Sequence, residues 1–270
     1  MAKTAPILLI GAGRMGGALL KGWLARDIGP VVVVEPNPGA ALLAQAKAGQ
    51  IKVITAAAQA PSRLRACVIA IKPQILRHEA AHLSPIARAG TLMLSIAAGT
   101  SIATLRKHFG RDARIVRAMP NTPGAIGRGI SSLFAPAKIA PGERKLAEAL
   151  LAPLGETLWL NKEALIDATT AVSGSGPAYV FYLVEALAQA GRAIGLPQAV
   201  AEQLARATIM GAGALLAADP RPPEALRRDV TSPGGTTEAA LSVLMGEDGL
   251  IALMRAAVAA ANRRAKELSS

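Results

Sequence analysis

The amino-acid sequence predicts an α/β fold: an N-terminal, doubly wound and mostly parallel sheet, followed by a C-terminal all-helical domain. Short β-branched runs alternate with alanine-rich segments in roughly the first 160 residues, which is the pattern of βαβ units. After about residue 163 only helical patterns remain. The formal charge changes at the same place, from +13 for residues 1–165 (21 Lys/Arg, 8 Asp/Glu) to −1 for residues 166–270 (9 and 10). We therefore expect one domain at 1–162 and a second at 163–270.

The predicted elements of the first domain follow one another as strand and helix. Several of the strands are apolar at consecutive positions, as expected when helices cover both faces of a sheet. The strands are Ile7–Ile10, Val31–Val34, Lys52–Ile54, Cys67–Ile71, Thr91–Ile96 and Arg114–Ala118. The helices between them include Met15–Ala25, Gly39–Ala48, Gln74–Ala87 and Ile102–Phe109.

The second domain is predicted to contain helices that a single chain cannot cover. The segment Val180–Ala193 has only one Glu, one Gln and one Arg in fourteen residues, and a helix that is apolar nearly all round must be buried. We expect a homodimer or a larger assembly built on this domain. Its predicted helices, three of which begin at a proline, are Pro177–Ile194, Pro197–Ala218, Pro223–Arg228, Thr237–Leu244 and Gly249–Leu268.

Composition excludes several classes of protein. A hydrophobic content of 51% and a mean hydropathy of +0.36 exclude a disordered chain. The single cysteine, Cys67, excludes a disulfide framework, and three scattered histidines predict no metal site. No secretory signal or membrane span is predicted, so we expect a soluble protein of the reducing cytoplasm.

The basic charge of the first domain has two interpretations. It is able to attract nucleic acid, but the cations are scattered singly and aromatic residues make up only 3% of the chain, which disfavours base stacking. An excess of positive charge also suits an anionic dinucleotide and an anionic small substrate. We expect neither nucleic acid nor a membrane as a partner.

A glycine-rich motif follows the first predicted strand and opens a helix. A lone GxGxxG is a weak signal, but this strand–turn–helix context is the one that dinucleotide-binding proteins require. The helix N-terminus offers free N–H groups and a positive dipole end to a pyrophosphate; a plain tight turn is the alternative. The motif residues are Gly11, Ala12, Gly13, Arg14, Met15 and Gly16.

Glu35 comes directly after the second predicted strand, nineteen residues beyond Gly16. An acidic group near this spacing accepts hydrogen bonds from the adenosine ribose and repels a 2′-phosphate, which favours NADH over NADPH. Arg14 and Asn37 are near enough to offset part of that repulsion. The alternative is an exposed loop glutamate.

Three further motifs come at predicted strand ends, where open α/β sheets gather their ligands. Lysine at a strand end is usually only solvated, but several such motifs together define a cleft. The candidate cofactor-binding residues in these motifs are Ala70, Ile71, Lys72, Pro73, Ala97, Ala98 and Asn121.

Two glycine- and hydroxyl-rich segments of the second domain each precede a predicted helix. Helix capping alone would explain the first, Ser173–Pro177. The second, Val230–Thr237, has more glycines and hydroxyls than a cap requires. The backbone N–H groups of Gly234, Gly235, Thr236 and Thr237 are able to surround a carboxylate.

The acid–base groups of a dehydrogenase are missing from residues 163–270, which contain no histidine and a single lysine, Lys266. A ketone or hydroxyacid dehydrogenase needs such a group to move the hydroxyl proton. Reduction of a protonated imine does not, because hydride attacks a cationic carbon and neutralises it. Such an enzyme needs positioning and one hydrogen bond to nitrogen.

Six motifs together resemble pyrroline-5-carboxylate reductase, in order and at family spacing along nearly the whole chain. They are GAGRMGGAL, AIKP, SIAAG, RAMPNTP, AVSGSGPAYVF and DVTSPGGTTEAAL. The resemblance implies a Rossmann-type N-terminal domain, a helical dimerisation domain and dimers that often assemble into decamers. It implies reduction of 1-pyrroline-5-carboxylate to L-proline by NADPH or NADH, the last step of proline biosynthesis.

The resemblance also assigns roles to residues. It implies that the loop matching Ser232–Thr237 holds the substrate carboxylate near the dimer interface. The Thr237 hydroxyl would hydrogen-bond the ring nitrogen, which makes Thr237 the candidate catalytic residue. Glu163 matches a family position close to the substrate. The candidate substrate-binding residues are Glu163, Ser175, Ser232, Gly234, Gly235, Thr236 and Thr237.

The chain departs from the family pattern at Glu35, where Ser, Thr or a basic residue is common and NADPH is the usual cofactor. The cofactor preference is therefore open. Two other functions are weighed against imine reduction: a related hydroxyacid dehydrogenase, and a dinucleotide-binding protein without catalysis.

Overall fold

The structure is a computed structural model that describes residues 5–269. The chain folds into two compact units, residues 5–174 together with 262–269, and residues 175–261. The proposed domain boundary at 162/163 stays a prediction. Residues 1–4 and 270, which are the outer ends of the two predicted domains, lie outside the described residues. Residues 1–4 also begin the N-terminal segment in which no secretory signal is predicted.

The first unit is built on one sheet of eight strands. The strands are β1 Ile7–Ile10, β2 Val31–Val34, β3 Lys52–Ile54, β4 Ala66–Ile69, β5 Leu92–Ser95, β6 Ile115–Met119, β7 Gly129–Phe134 and β8 Gly155–Trp159. Their order in the sheet is β3-β2-β1-β4-β5-β6-β7-β8. Every neighbouring pair is parallel except β6 and β7, so the predicted doubly wound, mostly parallel sheet is confirmed.

Helices cover both faces of this sheet. Because side chains alternate along a strand, Ile7 and Leu9 join one buried cluster and Leu8 and Ile10 join the other. The helices of this unit are α1 Arg14–Ala25, α2 Ala40–Lys47, α3 Pro73–Arg88, α4 Ile102–Phe109, α5 Pro141–Leu151 and α6 Leu165–Thr169. The first cluster includes residues of α1 and α5, and the second includes residues of α3 and α4.

The sequence patterns did not predict β7, β8, α5 or α6, and they misplaced one loop. Strand β7 carries a glycine and two serines, and β8 alternates exposed and half-buried residues, so neither has the continuous apolar run of the other strands. The segment at Ser173–Pro177 is not a loop before a helix. Thr170–Gly174 forms a π-helical turn, and the next helix begins at Gly176.

The second unit is all-helical, as predicted, and buries few side chains in the single chain. Ala188, Ala201 and Ala205 are its buried apolar residues among those described, whereas Phe181 and Met210 are 63% and 67% exposed. The helices are α7 Gly176–Ala193, α8 Gln198–Ala218, α9 Pro223–Asp229, α10 Thr236–Leu244 and α11 Leu250–Ser269, the last of which ends in the first unit.

The described part of the chain contains neither a membrane-spanning helix nor a cluster of metal-binding side chains. Within residues 5–269, the helices are either too short or too polar to span a bilayer. In the same part of the chain, no three His, Cys, Asp or Glu side chains are grouped so that they would hold a metal ion.

Candidate functional site

The strand order changes direction between β1 and β4, which are adjacent although two strands separate them in the chain. In doubly wound sheets, ligands bind at the carboxyl ends of the strands at such a switch point. Gly11 follows β1, Glu35 follows β2 and Ala70 follows β4. The fold therefore gathers three of the predicted motifs at one edge of the sheet.

The glycine loop leaves room for a phosphate. A Cβ at Gly16 would collide with the carbonyl oxygen of Gly11, so the first turn of α1 packs closely on the loop only with glycine at this position. A Cβ at Gly13 would meet nothing within 4 Å, which leaves this backbone open to a ligand. The first N–H groups of α1 have no acceptor within the helix, so the loop fits a pyrophosphate.

A cleft of about 560 Å³ adjoins this loop. Glu35 lies in it, with Oε2 accepting a hydrogen bond from the Ala12 N–H at 3.1 Å and Oε1 accepting one from the Asn37 N–H at 3.4 Å. The carboxylate is thereby held against the glycine loop. Of the predicted cofactor residues, the cleft is lined by Gly11, Gly13, Glu35, Asn37, Ala70, Ile71 and Lys72.

The other predicted cofactor residues do not line this cleft. Ala12 lines an adjoining hollow of about 500 Å³, together with Gly13 and Glu35. Both ends of the Asn121 side chain are used within the protein: Oδ1 accepts from the Ile130 N–H at 2.9 Å, and Nδ2 donates to the Ser173 carbonyl at 3.1 Å. Arg14, Met15 and Gly16 lie in α1, Pro73 is the first residue of α3, and Ala97 and Ala98 follow β5.

The cleft is also lined by ten residues that were not predicted from the sequence, among them three of α3 and Thr55. Ile75, Glu79 and His82 lie four and then three residues apart on α3, which places them on one face of that helix. Thr55 begins the loop after β3, where its N–H donates to Gln59 Oε1 at 3.0 Å. The spacing on α3 was visible in the sequence, but nothing marked that face as facing a cleft.

Glu163 belongs to a half-buried charge cluster in the first unit. Its Oε1 accepts a hydrogen bond from the Ile102 N–H at 2.7 Å, at the start of α4, and pairs with Arg117 Nη1 at 3.0 Å. The guanidinium of Arg117 is 4% exposed and also contacts Asp167 at 3.2 Å and the Ser269 hydroxyl at 3.3 Å. Glu163 therefore links the start of α4 to Arg117 within the folded chain.

The candidate carboxylate loop joins α9 to α10 in the second unit. Gly234 has φ +69°, a left-handed conformation that favours glycine. Its N–H donates to Glu238 Oε2 at 2.7 Å. The bend therefore holds a carboxylate of its own chain at one of the N–H groups that the sequence assigned to the substrate.

Four of the remaining candidate substrate residues lie at helix starts of the same unit, and Ser232 lies in the loop before α10. Ser175 and Gly235 are the N-cap residues of α7 and α10, and neither helix has a side-chain cap. The prediction that the Ser173–Pro177 segment caps a helix is therefore wrong, because Ser175 makes no side-chain capping hydrogen bond to α7. Thr236 and Thr237 are the first two residues of α10, and the side chain of Thr237 is half-buried.

Cys67 does not supply a nucleophile. It lies in β4 and is fully buried, and this burial raises the pKa of its thiol well above the ordinary value. The thiol is protonated at neutral pH, and a protonated thiol is a poor nucleophile.

Two family models match the chain. One is described as pyrroline-5-carboxylate reductase dimerisation and matches residues 163–268. The other is described as NADP oxidoreductase, coenzyme F420-dependent, and matches residues 6–99. The first match covers the helical unit, and the second covers the strands that carry the glycine loop and the cleft.

Relatives and solved structures extend the match to the whole chain. A pyrroline-5-carboxylate reductase of Pseudomonas aeruginosa is 39% identical over 98% of this chain and 97% of its own length. The structure of a pyrroline-5-carboxylate reductase from Coxiella burnetii has a TM-score of 0.91 at 34% identity, covering 99% of this chain and 100% of that one. A Plasmodium falciparum pyrroline carboxylate reductase with NADP bound has a TM-score of 0.81 at 26% identity, covering 99% of both chains. The chain belongs to the pyrroline-5-carboxylate reductase family.

Proposed function

We propose that this protein reduces 1-pyrroline-5-carboxylate to L-proline with a reduced nicotinamide dinucleotide. The proposal rests on two loops in a chain of this family. One is the glycine loop at the switch point, whose backbone is open to a ligand, and the other is the Gly234–Thr237 bend. The relatives named above, which are described as pyrroline-5-carboxylate reductases, support the same reaction. The proposed domains are 1–162 for the dinucleotide and 163–270 for substrate and dimerisation.

The bend suits the acid group of the substrate. A carboxylate favours backbone N–H donors at a helix N-terminus, and in the single chain the Glu238 carboxylate already takes one of these donors. We assign the substrate carboxylate to the N–H groups of Gly235, Thr236 and Thr237, with Gly234 joining when Glu238 moves away. We assign to the hydroxyls of Ser175 and Ser232 supporting contacts with the substrate.

The chemistry needs little from the side chains. When bound, the reduced nicotinamide supplies a hydride to the imine carbon, and the electron pair of the C=N bond passes to the protonated nitrogen, which becomes neutral. We assign to the Thr237 hydroxyl the hydrogen bond that orients this nitrogen. No general acid is required, which is consistent with a helical unit (residues 175–261) that has neither lysine nor histidine in its sequence.

A single steady-state assay tests the proposal. We expect the cyclic imine to cause oxidation of NADH or NADPH, with proline as the product. A panel of 3-hydroxy acids with the oxidised cofactors should give no comparable rate. Cofactor binding without turnover of the imine would instead identify a dinucleotide-binding protein without this activity.

We propose that Glu35 determines the preference between NADH and NADPH. Its carboxylate, held against the glycine loop, favours a ribose hydroxyl and repels a 2′-phosphate, so we propose comparable or better use of NADH. We expect Glu35→Ser to raise kcat/KM for NADPH about tenfold relative to that for NADH, as an effect of about 1.4 kcal/mol. The ratio of the two kcat/KM values is the measurement.

Two further variants separate charge from other effects of the Glu35 change. Glu35→Gln keeps a hydrogen-bond acceptor for the Ala12 N–H but removes the charge, so it should shift the ratio in the same direction. Glu156→Ser removes an exposed carboxylate of β8 that does not line the cleft, and it should leave the ratio unchanged. A strong NADPH preference in the unmodified protein, with no gain in Glu35→Ser, would contradict the assignment.

The helical unit is proposed as the homodimer interface. A dimerisation family model matches it, and its exposed apolar side chains require cover by another copy. Decamers assembled from dimers are part of the proposal. Native mass spectrometry distinguishes two copies from ten.

A further inference from the structure

One part of the cleft lining contains Glu35, and another part is a wall formed by α3, which contributes Ile75, Glu79 and His82. Glu79 Oε2 lies 3.2 Å from His82 Nδ1, and the two side chains are 40% and 62% exposed. The imidazole is therefore held by a carboxylate while it faces a cleft that is wide enough for an adenosine.

The charges that line the cleft nearly balance. Glu35 and Glu79 are negative, Lys72 is positive, and the imidazole of His82 lies against Glu79. On the neighbouring helix α4, the charged and titratable residues Arg106, Lys107 and His108 do not line the cleft, within the described part of the chain. The loop after β3 contributes uncharged residues to the lining.

The formal charge of the lining therefore depends on His82. It is −1 when the imidazole is neutral and zero when the imidazole is protonated. A dianionic 2′-phosphate is repelled more strongly in the first state than in the second. The 2′-hydroxyl of NADH carries no charge and is affected much less.

We propose that His82 and Glu79 form a second specificity wall that, together with Glu35, sets the discrimination between a ribose with and a ribose without a 2′-phosphate. This inference rests on the proposed use of a nicotinamide dinucleotide and extends it to α3. His82 provides the favourable charge for a 2′-phosphate. Glu79 positions the imidazole and adds the opposing charge.

Two adenosine fragments test this wall without the reaction. Adenosine 2′,5′-bisphosphate and 5′-AMP differ only in the 2′-phosphate, and calorimetry gives their dissociation constants at pH 6 and pH 8. The 2′-phosphate itself titrates near pH 6, so each variant is compared with the unmodified protein at the same pH. The affinity ratio of the two fragments is the readout.

We expect His82→Asn to lower the bisphosphate-to-AMP affinity ratio about threefold at pH 6, the size of effect that exposed charges have. Glu79→Gln should change the ratio in the opposite sense, raising it about threefold at pH 8. A wall that only supports the fold would not give opposite signs. His78→Asn is the matched control, because His78 is an exposed histidine of the same helix outside the cleft lining.

The inference would be overturned if the bisphosphate-to-AMP affinity ratio of His82→Asn equalled that of the unmodified protein. It would also be overturned if neither fragment bound. The reductase assay is run separately with full cofactors. Fragment discrimination without imine reduction would contradict the proposed function alone. Imine reduction with unchanged discrimination would contradict this inference alone.

Discussion

Replacement of Thr237 by alanine is expected to lower kcat/KM for the cyclic imine by roughly ten- to a thousandfold, the effect of losing one charge-assisted contact that matters in the transition state. The backbone N–H of residue 237 remains in the variant, so carboxylate binding should change less than turnover. Steady-state kinetics at saturating cofactor measures both quantities.

Two companion variants make the Thr237 result specific. Thr237→Ser keeps the hydroxyl and should retain most of the activity. Ser242 lies on the same helix, and its hydroxyl donates a hydrogen bond to the Ala239 carbonyl. The variant Ser242→Ala should have the same activity as the unmodified protein. Unchanged turnover in Thr237→Ala would remove the proposed role of its hydroxyl.

Replacement of Arg117 by alanine is expected to destabilise the protein by about 3 kcal/mol. Arg117 is 4% exposed and holds Glu163 and Asp167 together, so the variant leaves two poorly solvated carboxylates without their cation. The midpoint of thermal unfolding should fall by roughly 6–12 °C, as measured by calorimetry.

Arg114→Ala is the matched control for this result. Arg114 lies just before the same strand and pairs with Glu143, but its side chain is 54% exposed, and exposed ion pairs contribute about 0–1 kcal/mol. A midpoint shift in Arg117→Ala no larger than that in Arg114→Ala would show that the cluster contributes little to stability.

The parts of the fold that the sequence predicts correctly are those with strong local patterns. Strands β1 and β2 have the predicted bounds because an apolar run of four residues between helical segments has few alternatives, and β3 also has its predicted bounds. Strands β7 and β8 were not predicted. Ser131 and Ser132 are buried in β7, and only the tertiary fold decides that these polar residues lie inside.

The candidate site was predictable to the same extent. Gly11, Gly13, Glu35 and Lys72 lie in one cleft because strand order alone brings the carboxyl ends of β1, β2 and β4 together. The engagement of Gly234 by Glu238 and of Asn121 by Ile130 was not predictable. Such hydrogen bonds depend on where individual side chains lie, and the hydrophobic periodicity of the sequence does not determine this.

The return of the last residues of α11 to the first unit makes that unit discontinuous in sequence. The Ser269 hydroxyl bonds Asp167 at 2.9 Å, and Leu268 packs beside Gly99. A recombinant fragment that stops at residue 174 would lack this closing piece, so an excised sheet domain should include residues 262–269, tethered by a linker or supplied as a peptide. Proteolytic nicking within residues 175–261 would likewise leave that short segment attached only by non-covalent contacts.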